Sequence, residues 1–227
     1  ENAALFTRTK SHSQEQTNFA YLVWDIAWFG LALAATSRFL SVYAIRLGAD
    51  TTELSLIASL PGIMLLISTG LSGWWRRKYS SSVRSLIIPA LGFRLIFLLP
   101  AFAPFFPEDL RPLWLILAVT LPALPQGIAS ALFVVMMRES VSKDRFTDLL
   151  SRRAVAMNIT IGIGAVAFGL LLENMAYPYN YQLMFVIAFV FSIVSYLYAI
   201  SVREIKPEPV VGKRATSIWR APEFRPV

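Results

Sequence analysis

The stretch YQLMFVIAFVFSIVSYLYAISV, Tyr181–Val202, contains no charged residue, no proline and no glycine. Coiled as an α-helix at about 1.5 Å per residue, it is about 33 Å long, enough to cross the hydrocarbon core of a bilayer. Working outward from it, five more segments are mostly apolar and of comparable length. They run from about Phe19 to Ile45, Leu54 to Trp75, Val83 to Phe106, Pro112 to Met137 and Ala154 to Met175. The expectation is an all-α integral membrane protein with six transmembrane helices. Residues 1–18 form a polar leader, residues 19–202 the membrane domain and residues 203–227 a polar linker. Composition agrees: of 227 residues 56% are hydrophobic and 15% charged, against about 25% charged in a soluble domain.

The gaps between blocks carry the charge and the turn residues. Leu47-Gly48-Ala49-Asp50-Thr51-Thr52-Glu53 reads as a turn and helix start, with Thr52 the expected N-cap. Pro104, Pro107 and Pro112 punctuate the third connector, and Pro112 suits the first turn of a helix. Val141 to Leu150 alternates apolar and charged residues, which fits either a short amphipathic helix lying on the membrane surface or a solvated loop.

Lysine and arginine are distributed unevenly. Arg8 and Lys10 lie in the leader, Arg76, Arg77, Lys78 and Arg84 around the second connector, and Arg138, Lys143, Arg145, Arg152 and Arg153 in the fourth. Six more follow Val202, whereas the odd-numbered connectors hold only Arg46 and Arg111. Basic loops stay on the cytoplasmic side, so both termini are expected there, in a multi-pass protein of the plasma (inner) membrane. The net charge of +7 follows from this topology and does not call for a nucleic-acid partner.

Several chemistries are excluded. There is no cysteine and only one histidine, His12 in the leader, so thiol chemistry is impossible and a zinc site has no ligand set. No phosphate-binding glycine loop with lysine and no Gly-x-Ser-x-Gly elbow occurs. The expectation is a protein that is not an enzyme and needs no cofactor.

Charge at membrane depth costs at least about 2.5–3.5 kcal/mol per residue, so Asp25, Arg38 and Arg94 are the first candidates for function. Asp25 shares a face with Phe29, Ala32, Thr36 and Tyr43, a semi-polar stripe suited to a cavity wall; a carboxylate there can bind a cation or carry a proton. Arg38 lies about 140° and 20 Å from Asp25 on one straight helix, so the two do not pair. Arg38 can snorkel or bind an anion, and Arg94 needs an internal partner or a hydrogen-bonding role. In the fourth segment Pro122 and Pro125 should kink the helix, and Gln126 and Ser130 share one face as a binding element. In the fifth, Asn158 is a further polar candidate. Gly162, Gly164 and Gly169 suit close helix packing, with Ala165 and Gly169 a small-xxx-small pair. Pro61-Gly62, Gly70 and Gly73 point to bending and contact in the second.

The layout resembles the major facilitator superfamily over most of the chain. The run Phe39-Leu40-Ser41-Val42-Tyr43-Ala44-Ile45-Arg46-Leu47-Gly48-Ala49 followed by Leu54-Ser55-Leu56-Ile57-Ala58-Ser59-Leu60-Pro61 is similar to the family's first hairpin. Phe146 through Arg153 is similar to its fourth connector. In the second connector, Gly70-Leu71-Ser72-Gly73-Trp74-Trp75-Arg76-Arg77-Lys78-Tyr79 keeps the basic part of the family's loop signature but lacks its aspartate and later glycine. The fifth segment lacks the Gly-Pro pair of the proton-coupled drug exporters.

The resemblance implies the N-terminal half of a transporter made of two six-helix halves, each a 3+3 inverted repeat. A small-molecule substrate would bind near the midplane, with a proton or cation as candidate coupling ion and a missing C-terminal half as partner. It puts the first and fourth helices against the central cavity, favouring Asp25, Arg38 and Gln126, and gives Gly70, Gly73, Arg76, Arg77 and Arg94 structural or gating roles. The basic, aromatic run Ser217–Arg225 resembles the approach to a seventh helix, so a fragment is expected. A six-helix scaffold or assembly subunit that does not transport is the alternative.

Overall fold

A computed structural model describes residues 2–205, with side chains from residue 13 onward; the His12 side chain and the linker features from Lys206 to Arg225 lie outside what is described. All regular structure among the described residues is helical. Five helices are long and apolar enough to cross a membrane, and a sixth span results if one bent pair is counted together.

Helix α1, Asn2–Ala34, carries the polar leader straight into the first span. A five-residue π-turn, Ala35–Phe39, then leads into α2, Leu40–Arg46. Helix α3, Thr51–Gly70, is capped by Asp50 and not by Thr52. The Asp50 carboxylate accepts from Glu53 N at 2.7 Å while the Glu53 carboxylate accepts from Asp50 N at 2.9 Å. That reciprocal pair satisfies two backbone donors at once, which the threonine two residues on does not. A short helix α4, Ser72–Arg76, ends the hairpin.

The third span is not one straight helix. Helix α5, Ser82–Phe93, passes into 3-10 turns at Arg94–Phe97 and Leu99–Phe105, bent by 40°. Pro100 and Pro104 donate no backbone hydrogen bond, which favours the tighter winding. The fourth span breaks next to Pro122, as its prolines predict, into α6, Arg111–Thr120, and α7, Ala123–Ser140. Helix α8, Lys143–Asn174, is continuous, so the amphipathic stretch before Leu150 is the first turns of the fifth span and not a separate surface helix. No proline or glycine interrupts it until Gly162, and Arg153, on its third turn, is buried. Helix α9, Tyr179–Ile200, is the sixth span.

Helix α1 packs along α8 and α9; α7 packs along α3 and α5; α6 also touches α3, and α5 touches α9. Helices α1 and α7 touch each other only lightly. Small residues set the closest approaches. A Cβ on Gly164 would lie 2.9 Å from Ala34 Cβ and 3.0 Å from the Leu31 carbonyl, and one on Gly30 would collide with Thr160 Oγ1 and the Met157 carbonyl. One on Gly127 would collide with Ser68 Oγ and the Leu65 carbonyl. Gly62, Gly70, Gly73, Gly162 and Gly169 face open space, so the close contacts expected of Gly70, Gly73 and the Ala165–Gly169 pair do not form within the described residues. Large apolar side chains such as Leu66, Phe105 and Val166 point outward at 65–76% exposure, as residues solvated by lipid tails do.

Where α1 passes the C-terminal end of the described chain, Asn18 is fully buried. Its amide donates to the Ser140 carbonyl at 2.9 Å and to the Arg203 carbonyl at 2.7 Å, and its Oδ1 accepts from Arg203 N at 3.0 Å. Ile205 N donates to the Glu139 carbonyl at 3.0 Å, and the Glu204 carboxylate accepts from Val83 N at 3.2 Å.

Candidate functional site

Between α1, α5, α7, α8 and α9 lies a cavity of about 280 Å³. Asp25 and Ile26 of α1 reach it, with Phe29 one turn on. Leu86, Ala90 and Phe93 of α5 form one wall and Gln126, Ser130 and Phe133 of α7 another. Arg94 and Arg153 contribute the remaining polar lining. Since α1 and α7 scarcely touch, and Ser130 is exposed while Gln126 and Phe133 are half-buried, the cavity opens between these two helices.

Its floor is a buried ionic network. Asp25, Arg94 and Arg153 are at most 9% exposed, and Ser192 and Ser195 are fully buried. Asp25 Oδ2 pairs with Arg153 Nη1 at 3.0 Å, and Asp25 Oδ1 accepts from Ser195 Oγ at 2.7 Å. Arg153 Nη1 also donates to the Leu22 carbonyl. Arg94 Nε donates to the Ser192 carbonyl at 2.6 Å, its Nη1 to the Ala90 carbonyl, and its Nη2 to Ser195 Oγ at 3.1 Å. The Ser195 hydroxyl therefore accepts from Arg94 and donates to Asp25, joining both arginines to one carboxylate. Arg94 also lies against the rings of Phe93 and Tyr196, at 4.8 and 5.0 Å, and Arg153 against Phe133 at 4.8 Å. Cation–π contact and hydrogen bonds together offset desolvation of the guanidinium groups.

The structure brings together Asp25, Arg94, Gln126 and Ser130. Arg38 and Asn158 lie elsewhere. Arg38 is exposed on the π-turn with no hydrogen bond or ion pair among the described residues, and the exposed Asn158 donates to its own helix at the Ala154 carbonyl. Ser130 Oγ donates to the Gln126 carbonyl at 2.8 Å, so its lone pairs remain for the cavity. Pro125 packs where Gly92 leaves room, its ring 3.2 Å from a Cβ placed there. Around the second connector, Arg76 donates to Ser82 Oγ at 3.1 Å and to the Tyr79 carbonyl at 2.9 Å, while Arg77 is exposed.

Arg153 and Ser195 escape sequence reasoning for different reasons. Arg153 follows Arg152 in a basic run that counts as loop charge, although only Arg152 behaves so, pairing with Asp148 on the surface. Ser195 is masked by an apolar block, yet Ser192, Ser195 and Ala199 fall at helical spacing on one face, a small-residue stripe that marks where a neighbour's large side chain fits. Among the described residues no group of acidic or histidine side chains can hold a metal ion.

Compared with known proteins, residues 17–225 match the family model described as Major Facilitator Superfamily. No curated protein and no solved structure matches the chain.

Proposed function

The chain belongs to the Major Facilitator Superfamily, an integral-membrane family of small-solute transporters, and on that footing we propose that it forms the N-terminal six-helix half of a secondary active transporter working by alternating access. The observation that carries this reading is the charged cavity opening between α1 and α7. Charge at membrane depth is costly, and where it lines an open space it supports the reading of a solute path. The face presenting α1 and α7 is the one a second six-helix half covers, and Asp25 is the candidate site for a coupling proton or cation.

The pairing of helices supports a 3+3 inverted repeat. Helix α1 packs on α8 and α9 as α7 packs on α3 and α5. Gly30 sits against the Met157 carbonyl and the Thr160 hydroxyl three residues on; Gly127 sits against the Leu65 carbonyl and the Ser68 hydroxyl, again three residues on. In both, the hydroxyl donates back to that carbonyl, at 3.1 and 3.2 Å. The Lys and Arg distribution supports cytoplasmic termini in the plasma (inner) membrane.

The test uses the absence of cysteine from these 227 residues. With any cysteine elsewhere in the full-length protein replaced, a Ser130→Cys variant carries one thiol at the cavity mouth. In right-side-out and inside-out vesicles, membrane-impermeant thiol reagents are expected to reach it from both faces. A thiol reachable from one face alone would sink the alternating-access reading.

A further inference from the structure

We infer that the solute is a small organic anion whose charged group sits between Arg94 and Arg153, on the guanidinium edge that Asp25 leaves open; this rests on the transporter reading above. The argument begins with charge. The ionisable side chains lining the cavity are two guanidinium groups and one carboxylate, which leaves one positive charge in excess at the buried floor of the cavity. A cation entering would face that excess at short range, and a neutral solute would leave it uncompensated. An anion neutralises it.

Donor accounting points the same way. A guanidinium group has five N–H donors. Arg94 uses Nε and both terminal nitrogens on protein acceptors, so it is held in place. Arg153 uses Nη1 alone, on the Leu22 carbonyl and Asp25. Its Nε and Nη2 have no hydrogen-bond partner among the described residues, and the side chain lines the cavity. Arg153 is thus the group with donors to offer, and two adjacent N–H groups match a carboxylate's two oxygens. Asp25 takes Nη1 alone, so the edge formed by Nε and Nη2 is left for an incoming carboxylate.

The rest of the cavity sets the body of the anion. Phe29, Phe93, Phe133 and Leu86 supply apolar walls, while Gln126 and Ser130 supply neutral polar groups at the mouth. A compact carboxylate with one apolar ring or a short chain fits about 280 Å³; a large multivalent phosphate ester does not.

The experiment uses Ser130→Cys, again with any cysteine beyond these 227 residues replaced, in the full-length protein in liposomes. Modification rates are measured with sulfonatoethyl and trimethylammonioethyl methanethiosulfonate, each divided by its rate with a free thiol in solution. The anionic reagent is expected to be favoured by about fivefold or more, as an uncompensated charge at cavity distance requires. Asp25→Asn should raise that preference and Arg153→Gln lower it. Benzoate should slow the modification and benzamide at the same concentration should not. Equal or cation-favouring rates, no protection by benzoate, or equal protection by benzamide would each overturn the anion assignment while leaving two-sided access, and so the transporter reading, standing. Should Arg153→Gln fail to fold, Arg153→Lys keeps the charge and should retain the anion preference while weakening benzoate protection, because the two-pronged contact is gone.

Discussion

Asp25 and Arg153 hold each other in place across the bundle, and neither has an alternative counter-ion of the same quality. Ser195 completes the Asp25 coordination and Arg94 approaches only through it. Arg153→Ala therefore leaves a buried carboxylate facing a vacancy, a change that costs about 3–5 kcal/mol. The pair Asp25→Asn with Arg153→Gln removes both charges and should cost clearly less than the two single changes added together. Thermal unfolding of the four proteins in one detergent measures the coupling. At this scale the sequence reveals charge but not partnership. Asp25 and Arg94 stand out because each interrupts an apolar block. Arg153 is hidden because it continues a basic run, and only the helix phase of α8, which turns it inward and Arg152 outward, distinguishes the two.

Helices meet here through faces that differ by one residue in the sequence. Helix α8 presents Met157, Thr160 and Gly164 to α1, while Gly162 and Gly169 look into open space. Gly164→Val drives a branched side chain into Ala34 and the Leu31 carbonyl and should destabilise by about 1–3 kcal/mol. Gly169→Ala, with nothing within 4 Å of the added carbon, should be neutral or stabilise by up to about 1 kcal/mol through helix propensity. Unfolding midpoints of the two variants measured side by side decide the point. The spans themselves are legible in the sequence because apolar length alone marks them. Their irregularities are less so. The Pro122 break is visible from its prolines, but the π-turn at Ala35–Phe39 has no proline or glycine to announce it. The 3-10 winding after Arg94 starts before Pro100 and coincides with the residue whose guanidinium group bonds back to the Ala90 carbonyl. The packing glycines are ambiguous because several small residues lie within two turns, and a shift of one residue rotates the chosen face by about 100°.

For the molecule as a whole, orientation follows from the loops. Single cysteines at Ser80 and Thr147, in the second and fourth connecting regions, should be labelled by impermeant reagent only in inside-out vesicles. Cysteines at Asp109 and Met175 should be labelled only in right-side-out ones. The reverse pattern would invert the topology, and a mixed one would change the number of spans.

The knot around Asn18 adds a temporal dimension. Its partners Ser140 and Arg203 stand 122 and 185 positions further along the chain. At about 5–20 residues per second, a ribosome needs about 10–40 seconds to travel from Asn18 to Arg203. The Ser140 carbonyl is made partway through that interval, and the Arg203 carbonyl only after the sixth span has been translated. The side chain thus ties closure of this helical domain to the emergence of its sixth span. A chain halted before Arg203 leaves the buried amide one acceptor short.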